Sequence, residues 1–257
     1  MEAADAATAV DLDHARAVLR EGARAVREAL ATVDDLRRPG RRRGQYHLDL
    51  VADDAVRSVL HRGGFEVFSE ESGRTGAPAD GHPDVLVVVD PVDGSTNASI
   101  GLPWFSTSLC VLDSDGPVLS LVVNQATGTR YEAVRGGGAW RDGTRIASSG
   151  VTDLAHAVVG ISGLPAGHPG WAQFRALGSA SLDLCAVAEG VLDGYRVAGR
   201  TTLAAWDYLG ALLVCTEAGA VVGDCDGREL VVRDASPRRP CAAASRALFD
   251  QLVVARV

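Results

Sequence analysis

The chain has 257 residues, of which 47% are apolar, and this is enough to bury a large core in one domain or in two closely packed ones. Acidic residues outnumber basic ones by 33 to 25, and the formal net charge of −8 argues against binding to nucleic acid or to an anionic membrane. No apolar run is long enough to cross a bilayer and the first ten residues lack a signal-peptide pattern, so we expect a cytoplasmic protein. The five cysteines and six histidines are scattered, without the spacing of a zinc site.

Two helices are predicted at the start of the chain. Apolar residues recur at helical spacing over residues 9 to 31, and a second amphipathic helix is predicted from about Asp53. Between the helices, Pro39 and Gly40 interrupt an arginine-rich segment, residues 35 to 45. For this segment a solvated loop is favoured over an arm that grips phosphate.

Strand signals dominate the next part of the chain. Short β-rich runs separated by glycine-containing turns extend to about residue 147, and they predict an antiparallel meander with hairpins. Strands and helices then alternate, which is typical of an α/β arrangement. We therefore expect an α+β half over residues 1–148 and an α/β half over residues 149–257. No chemistry is assigned to three aspartates beside turn glycines: Asp113, Asp115 and Asp142.

The segment DPVDGSTN, residues 90–97, carries two carboxylates directly after the apolar run VLVVV. Pro91 is expected to end the strand, and the turn after it can point backbone N–H groups at an anion. Asp90 and Asp93 are three residues apart, so a bend can bring both carboxylates to one point. Oxygen ligands of this kind suit Mg²⁺ or Mn²⁺ better than zinc. The spacing fits neither an EF-hand loop nor the aspartate pair of haloacid-dehalogenase phosphatases.

Three blocks together resemble the inositol monophosphatase family of metal-dependent, lithium-sensitive phosphatases. They are SEESG at 69–73, DPVDGSTN at 90–97 and AWDYLGALLVCTEAG at 205–219. Looser matches, YEAVRGGGAWRDG and LGSASLDLCAVAEGVLDGY, extend the similarity over most of the chain. The resemblance implies a layered α-β-α-β-α sandwich of the inositol monophosphatase and fructose-1,6-bisphosphatase type. It also implies a homodimer.

The resemblance implies a metal centre made of oxygen ligands. The implied ligands are the carboxylates of Glu70, Asp90, Asp93 and Asp207 and the backbone carbonyl of Val92. They would hold two or three Mg²⁺ ions, for which Mn²⁺ could substitute. The implied reaction is hydrolysis of a small phosphate monoester by metal-activated water, without a covalent nucleophile.

The same resemblance implies residues that bind the substrate and activate the water. The implied substrate-binding residues are Asp93, Gly94, Ser95, Thr96 and Ser179. Glu70 and the Ser95 hydroxyl are expected to act in catalysis with an aspartate at the start of the second helix. We expect this aspartate to be Asp53, with Asp49 and Asp54 as alternatives.

One position departs from the family pattern and bears on the substrate. Inositol-specific relatives have a glutamate seven residues before the aspartate of the WD motif, and here that position is Arg200. An arginine that faces the substrate would prefer a carboxylate or a second phosphate, whereas one that points to solvent would not affect specificity. An inositol or sugar-type monophosphate is ranked first. The alternatives are histidinol phosphate, fructose 1,6-bisphosphate, adenosine 3′,5′-bisphosphate, or a catalytically silent phosphate-binding regulator.

Overall fold

The computed structural model describes residues 10–77 and 84–254, and within them two β-sheets alternate with layers of helices. The helices are α1 (Leu12–Leu30), α2 (His47–Arg62), α3 (Ser95–Ile100), α4 (Ala180–Ala188), α5 (Ala205–Glu217) and α6 (Arg246–Val254). The first sheet contains β1 (Glu66–Ser69), β2 (Gly73–Thr75), β3 (Leu86–Asp93), β4 (Ser106–Asp113), β5 (Gly116–Asn124), β6 (Arg130–Val134), β7 (Gly138–Arg141) and β8 (Thr144–Arg145). The second contains β9 (Val158–Ser162), β10 (Gln173–Arg175), β11 (Gly194–Val197), β12 (Val221–Asp224) and β13 (Pro240–Ala243).

The layers follow the order expected from the resemblance. Helices α1 and α2 cover one face of the first sheet, and α5 covers the other face across β3 to β7. Helix α4 packs beside α5 and against the second sheet, whose far side carries α6. This confirms the layered α-β-α-β-α sandwich. No helix of the described residues is long and apolar enough to cross a membrane. The prediction that the first ten residues form no signal peptide concerns residues 1–9 above all, and these lie outside the described residues.

The first sheet is not a simple meander. Its strand order is β2-β1-β3-β4-β5-β6-β7-β8, and β1 pairs with β3 in parallel, with Ser69 opposite Val89. Strands β3 to β8 are antiparallel neighbours, as the hairpin turns predict. The short strand β2 has few apolar residues, and no pattern in the sequence predicted it. The parallel pair matters because its two strands end at the same edge of the sheet.

Strand β3 continues through Pro91, so the prediction that this proline ends the strand is wrong. The pairing with β4 shifts register between Asp90 and Asp93, and Pro91 lies in this irregularity. A proline is tolerated there because its missing N–H interrupts no regular ladder bond. The hydroxyl of Thr107 donates a hydrogen bond to the Pro91 carbonyl at 2.8 Å and holds the kinked segment against β4.

Helix α2 begins at His47, well before the expected start at Asp53. The Tyr46 amide donates to the Asp49 carboxylate at 2.7 Å, so Asp49 caps the first turn. The apolar stripe of Val56 and Leu60 extends back through Leu48, which is fully buried. The predicted start is too late because Tyr46 is not a usual N-cap residue and gives no sequence signal for a helix start.

The chain passes from the first sheet to the second between Arg145 and Val158. Helix α5 follows this change in sequence, yet it packs on the first sheet. The division into halves at residue 148 therefore stays a prediction about domains. In the second sheet, β10 and β13 were not predicted, and β13 inserts between β11 and β12 in antiparallel pairing.

Candidate active site

Three carboxylates converge where β1, β3 and α5 meet. Each of Glu70, Asp90 and Asp207 has an oxygen within 4.8 Å of those of the other two. The parallel register brings Glu70 beside Asp90, and the Glu70 amide donates to the Val89 carbonyl at 3.3 Å. Asp207 lies in the first turn of α5, where its carboxylate accepts a hydrogen bond from the Ala204 amide at 2.7 Å. The fold therefore joins residues that are far apart in sequence.

The side-chain alternation of β3 directs Asp90 toward α5. Leu86 and Val88 belong to the core beneath α4 and α5, whereas Val87 and Val89 belong to the core beneath α1 and α2. Because alternate residues of a strand share a face, Asp90 faces the α5 side. It is 1% exposed, and one of its oxygens accepts a hydrogen bond from the Val92 amide at 3.0 Å.

Burial and mutual repulsion hold protons on these carboxylates. Burial, followed by repulsion from Asp207, raises the pKa of Glu70 to about 8. Burial and repulsion from Asp93 raise the pKa of Asp207 to about 7. The pKa of Asp90 is also raised, by burial and by repulsion from Glu70. No arginine of the described residues forms an ion pair with any of the three, so the arrangement suits a divalent cation with oxygen ligands.

Asp93 lies outside this trio. One of its oxygens accepts hydrogen bonds from the hydroxyls of Ser179 at 2.6 Å and Ser181 at 2.5 Å and from the Ser181 amide at 2.8 Å. Its other oxygen receives only a long bond, 3.3 Å, from the Ala180 amide. Asp93 is thus fastened to the start of α4 with one oxygen nearly free. Ser179, predicted as a substrate-binding residue, is fully buried and its hydroxyl donates to Asp93.

The turn into α3 requires a glycine. Gly94 has φ 89°, in the left-handed region, and a Cβ atom there would lie 2.9 Å from the Gly178 carbonyl oxygen. Ser95 and Thr96 follow as the first residues of α3, whose leading amides have no acceptor within the helix. Thr96 is exposed and Ser95 is half-buried. Val92 has no partner residue in the register with β4.

Asp49, rather than Asp53, lies with Ser95 in the cavity above the carboxylates. One Asp49 oxygen is buried and has no hydrogen-bond partner in the described part of the chain. Burial raises the pKa of Asp49 to about 7, while the Tyr46 amide and the Ser95 hydroxyl favour its charged form. Asp53 does not line the cavity. Its carboxylate instead accepts hydrogen bonds from the hydroxyls of Ser69 at 2.5 Å and Ser72 at 3.2 Å.

The cavity above the carboxylates has a volume of about 310 Å³. It is lined by Arg42, Arg43, Gly44, Gln45, Asp49, Glu70, Glu71 and Ser95. The arginine-rich segment is a loop with exposed arginines, as predicted, but it also forms one wall of this cavity. Arg200 is exposed, does not line the cavity, and forms no hydrogen bond or ion pair with the described residues.

Several residues of this region were absent from the predicted set, among them Arg43, Glu71 and Ser181. Glu71 lies within the SEESG block, and Ser181 follows Ser179 by two residues, so their sequence neighbourhoods were already marked. Arg43 lies in a run of arginines in which nothing distinguishes one position from the next. Only the folded loop separates its role from those of its neighbours.

Comparisons with known proteins find a family and relatives that match most of the chain. The family model for the inositol monophosphatase family matches residues 12–257. Inositol-1-monophosphatase of Mesorhizobium japonicum is 34% identical over 196 residues, which cover 70% of this chain and 71% of that protein. Fructose-1,6-bisphosphatase/inositol-1-monophosphatase of Archaeoglobus fulgidus is 32% identical over 212 residues, 80% of this chain and 81% of that protein. A Pasteurella multocida protein named Nus factor SuhB is 32% identical over 198 residues, 70% and 72% of the two chains.

A solved structure matches the fold over nearly the whole chain. Inositol monophosphatase from Anabaena superposes with a TM-score of 0.78 and 24% sequence identity, and the match covers 96% of each chain. At 24% identity, this similarity supports the layered architecture alone.

The raised pKa values predict an unusual dependence of stability on pH. Folding raises the pKa of Glu70 from its ordinary value of 4.5 to about 8. Between these two pH values the Glu70 carboxyl is ionised in the unfolded chain and protonated in the folded chain. Without metal, the free energy of unfolding should therefore fall as pH rises from about 5 to 8. Added Mg²⁺ should raise the melting temperature more at pH 8 than at pH 5.5, since binding requires deprotonated ligands.

Melting curves in EDTA and in Mg²⁺ at several pH values test this expectation. Glu70→Gln removes one titrating group and should flatten the pH dependence in EDTA. A melting temperature that rises with pH in EDTA, or a Mg²⁺ effect that is equal at both pH values, would contradict it.

Proposed function

The chain belongs to the inositol monophosphatase family, and on this premise we propose that it hydrolyses small phosphate monoesters with the help of bound Mg²⁺. The observation that carries the proposal is the convergence of Glu70, Asp90 and Asp207 within 4.8 Å. Asp90 is buried and Glu70 and Asp207 are half-buried, and without a basic partner the three carboxylates repel one another. A divalent cation removes that penalty. Mn²⁺ is the expected substitute, because it also prefers oxygen ligands.

The ligand set is proposed from the geometry together with the family pattern. Glu70, Asp90 and Asp207 would hold the cation, and the nearly free oxygen of Asp93 and the Val92 carbonyl would complete the site for two or three ions. When bound, Mg²⁺ lowers the pKa of a water molecule and neutralises charge on the phosphate. The serine hydroxyls of α4 orient Asp93 for this role, since they occupy its other oxygen.

The start of α3 is proposed to hold the phosphate. The amides of Gly94 and Ser95 point along the helix axis away from any intrahelical acceptor, and the exposed Thr96 is next to them. Only glycine fits at residue 94 without strain, so the backbone can approach a ligand closely.

Asp49 and Ser95 are proposed to handle the proton of the attacking water. One Asp49 oxygen has no hydrogen-bond partner among the described residues, and a carboxyl group with a pKa of about 7 can exchange a proton near neutral pH. The Ser95 hydroxyl can relay that proton, because it favours the charged form of Asp49. Glu70, at the edge of the same cavity, would orient the water.

The substrate proposed first is an inositol or sugar-type phosphate. The relatives from Mesorhizobium and Archaeoglobus carry names for inositol-1-phosphate and fructose-1,6-bisphosphate hydrolysis, and they cover most of this chain. Family membership is also the support for a homodimer.

A second candidate is a regulator that binds phosphate without turnover. The relative named Nus factor SuhB is nearly as similar to this chain as the named phosphatases are. The two candidates differ in one measurable property, which is phosphate release by the purified protein.

We expect the purified protein to release phosphate from p-nitrophenyl phosphate and from inositol 1-phosphate in the presence of Mg²⁺. EDTA should abolish the release, and lithium should suppress it. Asp90→Asn should lower kcat by about 10²-fold or more, because it removes charge from the centre of the site. Asp115→Asn is the matched control, since Asp115 is an exposed turn residue whose side chain is 83% accessible.

Release that is unaffected by EDTA would contradict the metal-dependent mechanism. If no ester is turned over while Mg²⁺ still raises the melting temperature, the regulator becomes the better description.

A second pair of variants tests the assignment of the proton-handling aspartate. Asp49→Asn should lower kcat by about 10²-fold, the usual contribution of a general base. Asp53→Asn removes the charge that accepts hydrogen bonds from Ser69 and Ser72 and pairs with Arg57, so it should lower the melting temperature and leave kcat near that of the wild type. The reverse pattern, with kcat lost in Asp53→Asn and kept in Asp49→Asn, would restore the assignment made from the sequence.

A further inference from the structure

A positively charged loop forms one wall of the candidate active site. Residues 37–48 contain five arginines and no acidic residue. Arg42 and Arg43 line the 310 Å³ cavity together with Asp49, Glu70 and Ser95. A molecule bound in this cavity would therefore lie close to these two side chains as well as to Glu70.

The loop is held in a defined position by Gln45 and Glu71. The buried Gln45 side chain accepts hydrogen bonds from the amides of Arg41 at 2.6 Å and Arg42 at 3.1 Å, and it donates to Glu71. The Gly40 amide donates to the Gln45 carbonyl at 2.8 Å and closes the loop. These bonds fix the base of the loop beside the catalytic carboxylates, which is the condition for a preorganised binding residue.

The two arginines of the wall differ in what they contact. The Arg42 guanidinium pairs with Glu71 at 2.5 Å and donates to the Glu70 carbonyl at 3.4 Å, so its donors are largely used within the protein. Arg43 is exposed and forms no hydrogen bond or ion pair with any residue that the structure describes. Its guanidinium is charged at every physiological pH and keeps five donors available.

We propose that Arg43 binds a second anionic group, a carboxylate or a phosphate, on the alcohol part of the substrate. The inference rests on the proposed function, and it assigns the specificity to Arg43 instead of Arg200. An arginine fork matches both anions in bidentate geometry. Without it, a second anion would meet repulsion from Asp49, Glu70 and Glu71, which line the same cavity.

Two matched pairs of esters separate the second anion from the size of the substrate. 2-Phosphoglycerate and glycerol 2-phosphate differ in having a carboxylate or a hydroxymethyl group at one carbon. Fructose 1,6-bisphosphate and fructose 1-phosphate differ by one phosphate. In at least one pair, wild-type kcat/KM should be higher for the ester that carries the second anion. A preference in the first pair identifies a carboxylate, and a preference in the second pair identifies a phosphate.

Arg43→Gln should cancel that preference. The loss in kcat/KM for the anionic member should exceed the loss for its neutral partner by about tenfold or more, as expected for a lost charge-assisted contact. The change should fall mainly on KM, because the contact is to a part of the substrate that does not react. Arg41→Gln is the matched control: Arg41 lies in the same loop, its exposed side chain has no partner among the described residues, and it does not line the cavity.

The remaining outcomes are distinct. Equal losses on both members of each pair in Arg43→Gln would overturn the inference, as would a preference lost equally in Arg41→Gln. A preference lost in Arg200→Gln and kept in Arg43→Gln would return specificity to Arg200. If wild-type protein releases phosphate from none of the four esters or from p-nitrophenyl phosphate, the proposed function itself fails. Activity on these esters without any preference for the second anion would overturn only the role of Arg43.

Discussion

The mutual repulsion of three clustered carboxylates is the constraint on which this structure depends. Removing Glu70, Asp90 and Asp207 partly or wholly from water is costly for the ionised forms, and bringing them within 4.8 Å of one another adds repulsion. This cost raises the pKa of all three groups, and the positive charge of a bound cation would offset it. The free energy for holding this site together comes from the surrounding layers, where strands buried on both faces supply apolar contacts.

Two local features position the carboxylates: the register shift in β3 and the placement of α4 and α5 between the sheets. The register shift at Pro91 lets one central strand carry Asp90 toward α5 and Asp93 toward α4. Helices α4 and α5 lie between the sheets, so each can direct its N-terminal end at the edge where β1 and β3 finish. The site is therefore built at the junction of the two halves, although α5 follows the second sheet's first strands in sequence. The polar contacts of Asp93 with Ser179 and Ser181 tie that junction together.

Much of this arrangement could be predicted from local patterns. The runs of apolar residues in β3 and α5 predict buried elements, and the three blocks around Glu70, Asp90 and Asp207 together predict a metal-dependent phosphatase site. The ends of helices and strands were less predictable, and the start of α2 determines which aspartate faces the cavity. Starting α2 at His47 makes Asp49 the carboxylate that faces Ser95 and leaves Asp53 bonded to Ser69 and Ser72. Periodicity sets the face of a helix, but it does not set the first residue.

The sequence by itself determined the family, because three short blocks together match the motifs of that family. The resemblance then implied the layered fold and the four carboxylates proposed as metal ligands. Only the tertiary structure decided which of the many charged side chains share a cavity. Arg43 and Arg200 are both exposed arginines in loops, yet only Arg43 lines the cavity above Glu70. The physical reason is that a side chain's neighbours are set by how distant segments pack. The bonds of Gln45 to the arginine loop and to Glu71 are such contacts, and no local pattern encodes them.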